Sequence, residues 1–244
     1  MNHLTTTLQT YNIDATDGEM GKIRDLYLDD RTWKIRYAIV DTRKWLPERK
    51  VLLSPTSFIG VNEENETLEV EYDKETIKKS PTVPEDSDLS RDKENQLIKY
   101  FGWSRYWPDD VLISGDQRPL GVFHKQSERV QQSHEDFERE QLLEDYRDNK
   151  KSNLRSHEEI LLARVHGKDG KLGKLVDFIY NDDWQIRYFI FQSTDYSKDE
   201  FYFYSVDNIT NIDWFEGDFY LNETMESFQN KIIFDKKQDI LNLI

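Results

Sequence analysis

The chain contains no cysteine, so disulfides, thiolate nucleophiles and Cys-ligated zinc are excluded. That composition fits a reducing cytoplasm. Basic residues are in deficit: 33 Lys and Arg stand against 48 Asp and Glu, a formal net charge of −15. Nucleic-acid backbones and anionic membranes are bound through Lys and Arg that displace counterions, so no nucleic-acid partner is expected. No apolar run approaches the ~18 residues of a spanning helix. The opening MNHLTTTLQT lacks the basic-then-apolar order of a signal peptide. The expectation is a cytoplasmic protein without membrane insertion, whose partners are proteins.

Reaction motifs are missing too. His3, His124, His134, His157 and His166 show no metal-ligand spacing. Asp29–Asp30 and Asp182–Asp183 read as turn residues, since a calcium loop gathers six to eight oxygens around a glycine. Ser54–Pro55 and Ser205 sit at strand ends without a Gly-x-Ser-x-Gly elbow. Gly170 and Gly173 are turn glycines and not part of a phosphate loop. The reading is a non-enzyme, with no catalytic residues, no metal and no cofactor. A hydrolase would need a convergent acid–base site, and the sequence displays none.

What is present is a repeat. Residues 21–40 read GKIRDLYLDDRTWKIRYAIV, and residues 173–191 read GKLVDFIYNDDWQIRYFIF. Aligning 17–30 with 169–182 and 33–40 with 184–191 makes eleven of 22 positions identical. Among them are Gly21/Gly173, Asp25/Asp177, Trp33/Trp184 and Arg36/Arg187. Each copy reads as a β-hairpin, with Trp33, Ile35, Tyr37 and Ile39 alternating with Lys34, Arg36, Ala38 and Val40. If Leu28 faces Trp33, Asp25 faces Arg36, and by the same logic Asp177 faces Arg187. Opposed charges favour a register by about 0.2–1 kcal/mol, so two structural ion pairs are expected, Asp25–Arg36 and Asp177–Arg187. Strands at 49–55 and 67–72 correspond to strands at 201–206 and 218–223. Five or six short strands per copy cannot cover both faces as an open sheet, and closure into a small barrel follows. The fold class is all-β dominated: two small β-barrels joined by a partly helical linker.

The first copy, DGEMGKIRDLYLDDRTWKIRYAIVDTRKWLPERKVLLSP with the later IKKSP, resembles the PRC-barrel domain, shared by the cytoplasmic part of the photosynthetic reaction-centre H subunit and the C-terminal part of a ribosome maturation factor. YFGWSRYW at 100–107 and NLRSHEEILLARVHGKDGKLG at 153–173 are similar to bacterial proteins carrying two PRC-barrels in tandem. Copy two departs from the pattern after Ile190, with FQSTDYSKDEFYFYSV. The division expected is 1–80 for the first barrel, 81–152 for the linker and 153–235 for the divergent second barrel. The resemblance implies a non-enzymatic protein-interaction or scaffold module in a bacterial cytoplasm, with stress response as one setting. Other functions it leaves open are electron-transfer support like that of the H subunit and a ribosome-maturation role. The first lacks its membrane anchor here, and the charge of −15 disfavours the second.

The linker is polar. SPTVPEDSDLS is a connector, and SRDKENQLIKYF reads as a short helix with Ser90 as its N-cap. Val130, Phe137, Leu142 and Tyr146 have loosely helical spacing, which fits either a docked helix or a flexible linker. Trp and Arg dominate binding hot spots, so Trp45 with Arg43, and Trp103 with Trp107, are the candidate contacts for an unknown protein partner. Duplication also makes a homodimer an expectation, and two barrels suggest either an intramolecular pair or a bivalent binder.

Overall fold

A computed structural model describes residues 1–42, 46, 49–62, 64–84, 89–106, 153–193 and 200–244. The chain forms two compact units, Met1–Ser87 with Asn153–Ile244, and Asp88–Ser152. Both copies of the repeat lie in the first unit.

Copy one runs β1 (Asn2–Leu4), a helical turn Thr5–Leu8, β2 (Asn12–Ala15), β3 (Gly18–Asp29), β4 (Lys34–Val40), β5 (Arg49–Leu53), β6 (Phe58–Asn62), β7 (Thr67–Val70), a helix Lys74–Lys79 and β8 (Val83–Pro84). Copy two runs β9 (Leu154–Ser156), a helical turn His157–Ile160, β10 (Arg164–His166), β11 (Lys171–Asn181), β12 (Ile186–Ser193), β13 (Phe201–Ser205), β14 (Ile209–Asp213) and β15 (Asp218–Leu221), then helices Met225–Gln229 and Lys237–Leu241. The strand orders match: β6-β7-β2-β3-β4-β5 in one sheet and β14-β15-β10-β11-β12-β13 in the other, with β8 added beside β5. β5 and β6 stand at opposite ends of this row, yet one 3-10 turn, Pro55–Ser57, joins them. A chain can leave one end of a row and enter the other so quickly only if the sheet is curled. In copy two, Val206–Asn208 makes the same connection. Ser54 and Ser205 cap these turns, accepting from Thr56 N and Asp207 N.

The expected β-alternation fails at a specific place. Tyr27 pairs with Tyr37 and Leu28 with Ile35, which leaves Arg36 as an extra residue; Arg24 is extra in β3 in the same way. Copy two carries equivalent bulges at Arg187 and Val176. A bulge shifts every later side chain to the other face. Ile35 therefore enters the main core with Ala38 and Val40, as Ile186 does with Phe189 and Phe191. Tyr188 and Ile190 instead face a second cluster with Leu4, Ile179 and Ile240. Both faces of the strand are thus covered.

The bulges also replace the expected ion pairs. Asp25 lies opposite Ile39 and Asp177 opposite Ile190. Arg36 donates through Nε and Nη2 to Asp29 Oδ2, at 3.2 and 2.9 Å, while Arg187 is exposed. Asp29 Oδ1 also accepts from Arg31 N and Thr32 N, which shapes the turn. Burial pushes the Asp29 carboxyl up, but Arg36, the Arg31 N–H and Thr32 outweigh it and hold the group below the usual carboxylate range.

The repeated glycines are explained by close backbone approach. A Cβ on Gly21 would lie 2.3 Å from the Asp41 carbonyl oxygen, and one on Gly173 would lie 2.0 Å from that of Gln192. Gln192 lies within β12, and Asp41 directly follows β4 and donates to Lys22 O, so shifting either carbonyl disturbs the pairing beside it.

In the Asp88–Ser152 unit, the helix Arg91–Phe101 is capped by Ser90 Oγ, which accepts from Lys93 N, and ends at Gly102 in the left-handed conformation. Buried Glu94 accepts from Arg91 Nη1 at 2.9 Å and from the Tyr106 hydroxyl at 2.6 Å.

Candidate functional site

The two copies exchange their first segments. β1 of copy one pairs with β11 of copy two, and β9 of copy two pairs with β3 of copy one. The identical aspartates receive the exchanged turns. Asp25 accepts from Ser156 Oγ at 2.6 Å and from Glu158 N at 3.0 Å. Asp177 accepts from Thr5 Oγ1 at 2.8 Å, from Thr6 N at 3.1 Å and from the Thr6 hydroxyl. Each carboxylate thus fastens the N-terminal turn of the other copy.

Thr5 and His157, equivalent positions in the two copies, meet in this seam, with Thr5 Oγ1 2.8 Å from His157 Nε2. The single Thr5 hydroxyl proton goes to Asp177, so the imidazole donates through Nε2–H and its Nδ1 is bare. Nδ1 has no partner among the described residues, and the ring is fully buried. Burial holds the His157 pKa below its ordinary value, with Lys237 adding to the effect while Asp177 and Asp25 oppose it. Lys237 Nζ reaches Asp177 Oδ2 at 2.6 Å, which pairs the fully buried carboxylate.

The two tryptophans complete the seam. Ile35 N donates to Trp184 O at 2.9 Å and Ile186 N to Trp33 O at 2.8 Å. Trp33 and Trp184 take left-handed backbones, with φ of 53° and 62°. Trp33 packs against Phe178 and Phe219 of copy two, and Trp184 against Phe58 of copy one. One continuous core contains residues from both copies. The identical aspartates Asp25 and Asp177 and tryptophans Trp33 and Trp184 are seam residues.

The residues singled out as contacts fare differently. Arg43, Trp45 and Trp107 lie outside the described residues, as do His124, His134 and the stretch 126–149. Trp103 is buried and stacks on Phe101 at 4.5 Å, a packing role. Of the paired aspartates, Asp30 holds Arg155 at 2.8 Å and Asp182 lies 3.2 Å from His3. His166 lies 3.0 Å from Asp218, whose carboxyl burial raises and Arg164 and His166 draw below the ordinary range. Among the described residues no three His, Asp or Glu are grouped to hold a metal ion, and no helix is long and apolar enough to cross a membrane.

An unforeseen surface lies in copy two. A groove of about 460 Å³ opens between the segment after the turn His157–Ile160 and the β14–β15 connection, with Leu162, Arg164, Lys174, Trp214 and Phe219 among its walls. The Arg155 guanidinium sits 4.6 Å over the Trp214 ring. Arg164 donates to Asp218 through Nε and Nη2, at 2.5 and 3.0 Å. Leu162 is 67% exposed in a left-handed backbone, φ 72°, an uncommon pairing of apolar exposure and strain. Phe215, between the lining residues Trp214 and Glu216, is 94% exposed. Its turn is held by hydrogen bonds: Asp213 Oδ1 accepts from Phe215 N and Glu216 N, and Gly217 N donates to Asp213 O.

At the equivalent places copy one has exposed polar residues, Thr10 for Leu162 and Glu64 for Phe215. The signal was readable: NEENE at 62–66 aligns with DWFEG at 213–217, once the alignment is carried past the hairpin. No curated protein matches the chain. A family model does match, over residues 12–77, and it is that of the PRC-barrel domain; copy one therefore carries one PRC-barrel domain.

Proposed function

We propose that the chain is a non-enzymatic interaction module in which residues 153–235 are a second, divergent PRC-type copy locked onto the first, acting as a scaffold in the cytoplasm. The observation that carries this reading is the reciprocal seating of each helical turn on the other copy's aspartate. The repeated aspartates Asp25 and Asp177 are engaged in this seating, and the copies differ most at exposed positions such as Glu64 and Phe215. With a shared core, the pair acts as one rigid platform, not as two beads available for independent binding. A partner meets both copies at fixed spacing and orientation, so little entropy is lost in arranging them.

Affinity capture with the full chain, run beside a thermal-shift screen of small metabolites, tests the proposal. A discrete protein partner retained at near-stoichiometric level, with no metabolite moving the melting temperature by more than about 2 °C, is the expected result. A large shift by one small molecule would turn the reading towards an enzyme or ligand-binding protein. Co-sedimentation with ribosomes would favour the ribosome-maturation role.

A further inference from the structure

We propose that His157 makes the seam an acid-sensitive latch: when its ring takes up a proton, the turn His157–Ile160 lifts from Asp25, while the opposite turn Thr5–Leu8 stays seated on Asp177. Histidine is the side chain that changes charge near neutral pH, and this one is fully buried where the two copies meet. A proton added at Nδ1 would find no acceptor among the described residues. The groups around the ring are already committed. Asp177 Oδ1 accepts from Thr5 Oγ1, Thr6 N and Phe178 N, and its Oδ2 from the Thr6 hydroxyl and Lys237. Asp25 accepts from Leu26 N, Glu158 N and Ser156 Oγ, and behind it Lys50 Nζ lies 3.2 Å from the Tyr27 hydroxyl. The Phe178 ring stands 5.9 Å from the imidazole. Glu158 and Glu159, the charged residues of the turn itself, are exposed. Burial opposes the imidazolium most, Lys237 repels it, and the two aspartates attract it. A buried donor without an acceptor is costly, and the ring regains water only by leaving with its turn.

The fold supplies a hinge on this side only. Leu162, just beyond the turn, holds a left-handed backbone, which in a residue other than glycine persists only while its surroundings enforce it. Leu162 N donates to Leu175 O, so the chain is anchored directly after the turn. Ahead of the turn, Asp30 accepts from Arg155 Nε at 2.8 Å and Asp30 N donates to Asn153 O, which holds the start of β9. Movement is thereby confined to the turn between these anchors. In copy one, Thr10 stands at the place of Leu162 without a left-handed backbone, and Thr5 stands at the place of His157. Copy one thus has neither the trigger nor the hinge. Opening bares Asp25 and Ile160 and releases one of the two clamps between the copies, whatever the platform binds.

Amide hydrogen exchange on the full chain at pH 7 and pH 5, corrected for intrinsic exchange rates, tests this. The Glu158 and Leu161 amides, bonded to Asp25 and to His157 O, are expected to lose protection by up to about tenfold per pH unit below the ordinary 6.5 of a histidine. The Thr6 amide on Asp177 and the Ile190 amide within β12 are expected to keep theirs. This comparison within the wild type needs no variant. His157→Gln still offers an N–H to Thr5 Oγ1 but does not titrate, and in it the turn should respond no more than the Thr6 amide does. Nitrogen NMR should find the wild-type ring neutral at pH 7, with its proton on Nε2. Turn amides that keep their protection at pH 5, losses shared equally by Thr6 or Ile190, or a turn that still opens in His157→Gln each overturn the proposal. So does a ring that carries its charge with the turn closed. Each of these outcomes leaves the interaction-module reading in place.

Discussion

Asp25 and Asp177 occupy the same position in the two copies and fasten the same kind of turn, yet their surroundings differ. Asp25 holds the turn with a serine hydroxyl and a backbone N–H. Asp177 adds a second hydroxyl and Lys237, and its side chain is wholly buried. Further out, at the β6–β7 and β14–β15 connections, Asn62 and Asp213 accept from the equivalent N–H groups of Asn65 and Glu216, but the exposed residues between them differ, Glu64 standing where copy two has Phe215. The likeness between the copies is thus strong at Asp25 and Asp177, where they must fit each other, and weak at the exposed tips of these connections. At Asp25 and Asp177, identity between the copies goes with assembly, while at Glu64 and Phe215 difference goes with exposure.

The sharpest way to break this comparison is to remove each aspartate in turn. Asp177→Ala leaves Lys237 without its carboxylate and frees the Thr5–Leu8 turn, at a cost of about 3–5 kcal/mol, as for a severed buried ion pair. Asp25→Ala removes a carboxylate that accepts from Ser156 Oγ and Glu158 N, both neutral donors, and costs about 1–3 kcal/mol. Urea unfolding of both variants measures the difference, and equal losses would deny the asymmetry. Gly173→Ala and Gly21→Ala should each cost about 2–3 kcal/mol, because both would drive a methyl group into a backbone carbonyl. A mild effect at either would show that its strand can yield.

His157 supplies a pH test, since its counterpart Thr5 does not titrate. Its folded pKa lies below the ordinary 6.5. Between the two values the unfolded chain binds a proton that the folded ring does not. Stability is therefore lost as pH falls below about 6.5 and levels off only beneath the folded pKa. The slope reaches at most about 1.4 kcal/mol per pH unit. Asp29 and Asp218, whose pKa values are lowered from 3.8, contribute stability that is lost only at more acid pH, so the windows separate. Chemical denaturation at pH 5, 6 and 7 should show this slope in the wild type and not in His157→Thr, which places the copy-one residue at that position. An unchanged slope would assign the titration to another group.

Much of the fold was legible because the repeat is loud: Trp33/Trp184, Arg36/Arg187 and the paired glycines fix the copies, the strands and the PRC-type resemblance. The face assignment was not, because a one-residue bulge leaves no mark in a pattern of alternating apolar residues when both faces are buried. Tyr37 and Ile39 read as continuing the Trp33–Ile35 stripe, but the extra residue at Arg36 turns them to the other side. The exchanged arms were hidden for a different reason. NHLTTT and LRSHEE share little, since each turn needs only a donor-bearing end and an apolar underside to seat on the other copy's aspartate. The groove has no motif in the sequence, because Phe215 is distinguished by its exposure and by the glutamate that copy one has at that position.

The smallest effect separates the two arginines. They share a position, an identity and a bulge, and on sequence grounds they should matter equally. Arg36 is largely buried against Asp29, with side-chain exposures of 15% and 5%, whereas Arg187 is exposed because Asn181 takes the place of Asp29 in copy two. Without a carboxylate in the turn, the second arginine keeps its charge in water and contributes little. Arg36→Ala should cost about 1–2 kcal/mol, a charged hydrogen-bonded pair near the surface, and Arg187→Ala less than about 0.5 kcal/mol. Adding Asn181→Asp should give Arg187 a partner, so that Arg187→Ala in that background costs more than it does alone. If the double-mutant cycle shows no coupling, the equivalence of the two turns ends at the backbone, and the carboxylate of Asp29 depends on features of copy one beyond its own hairpin.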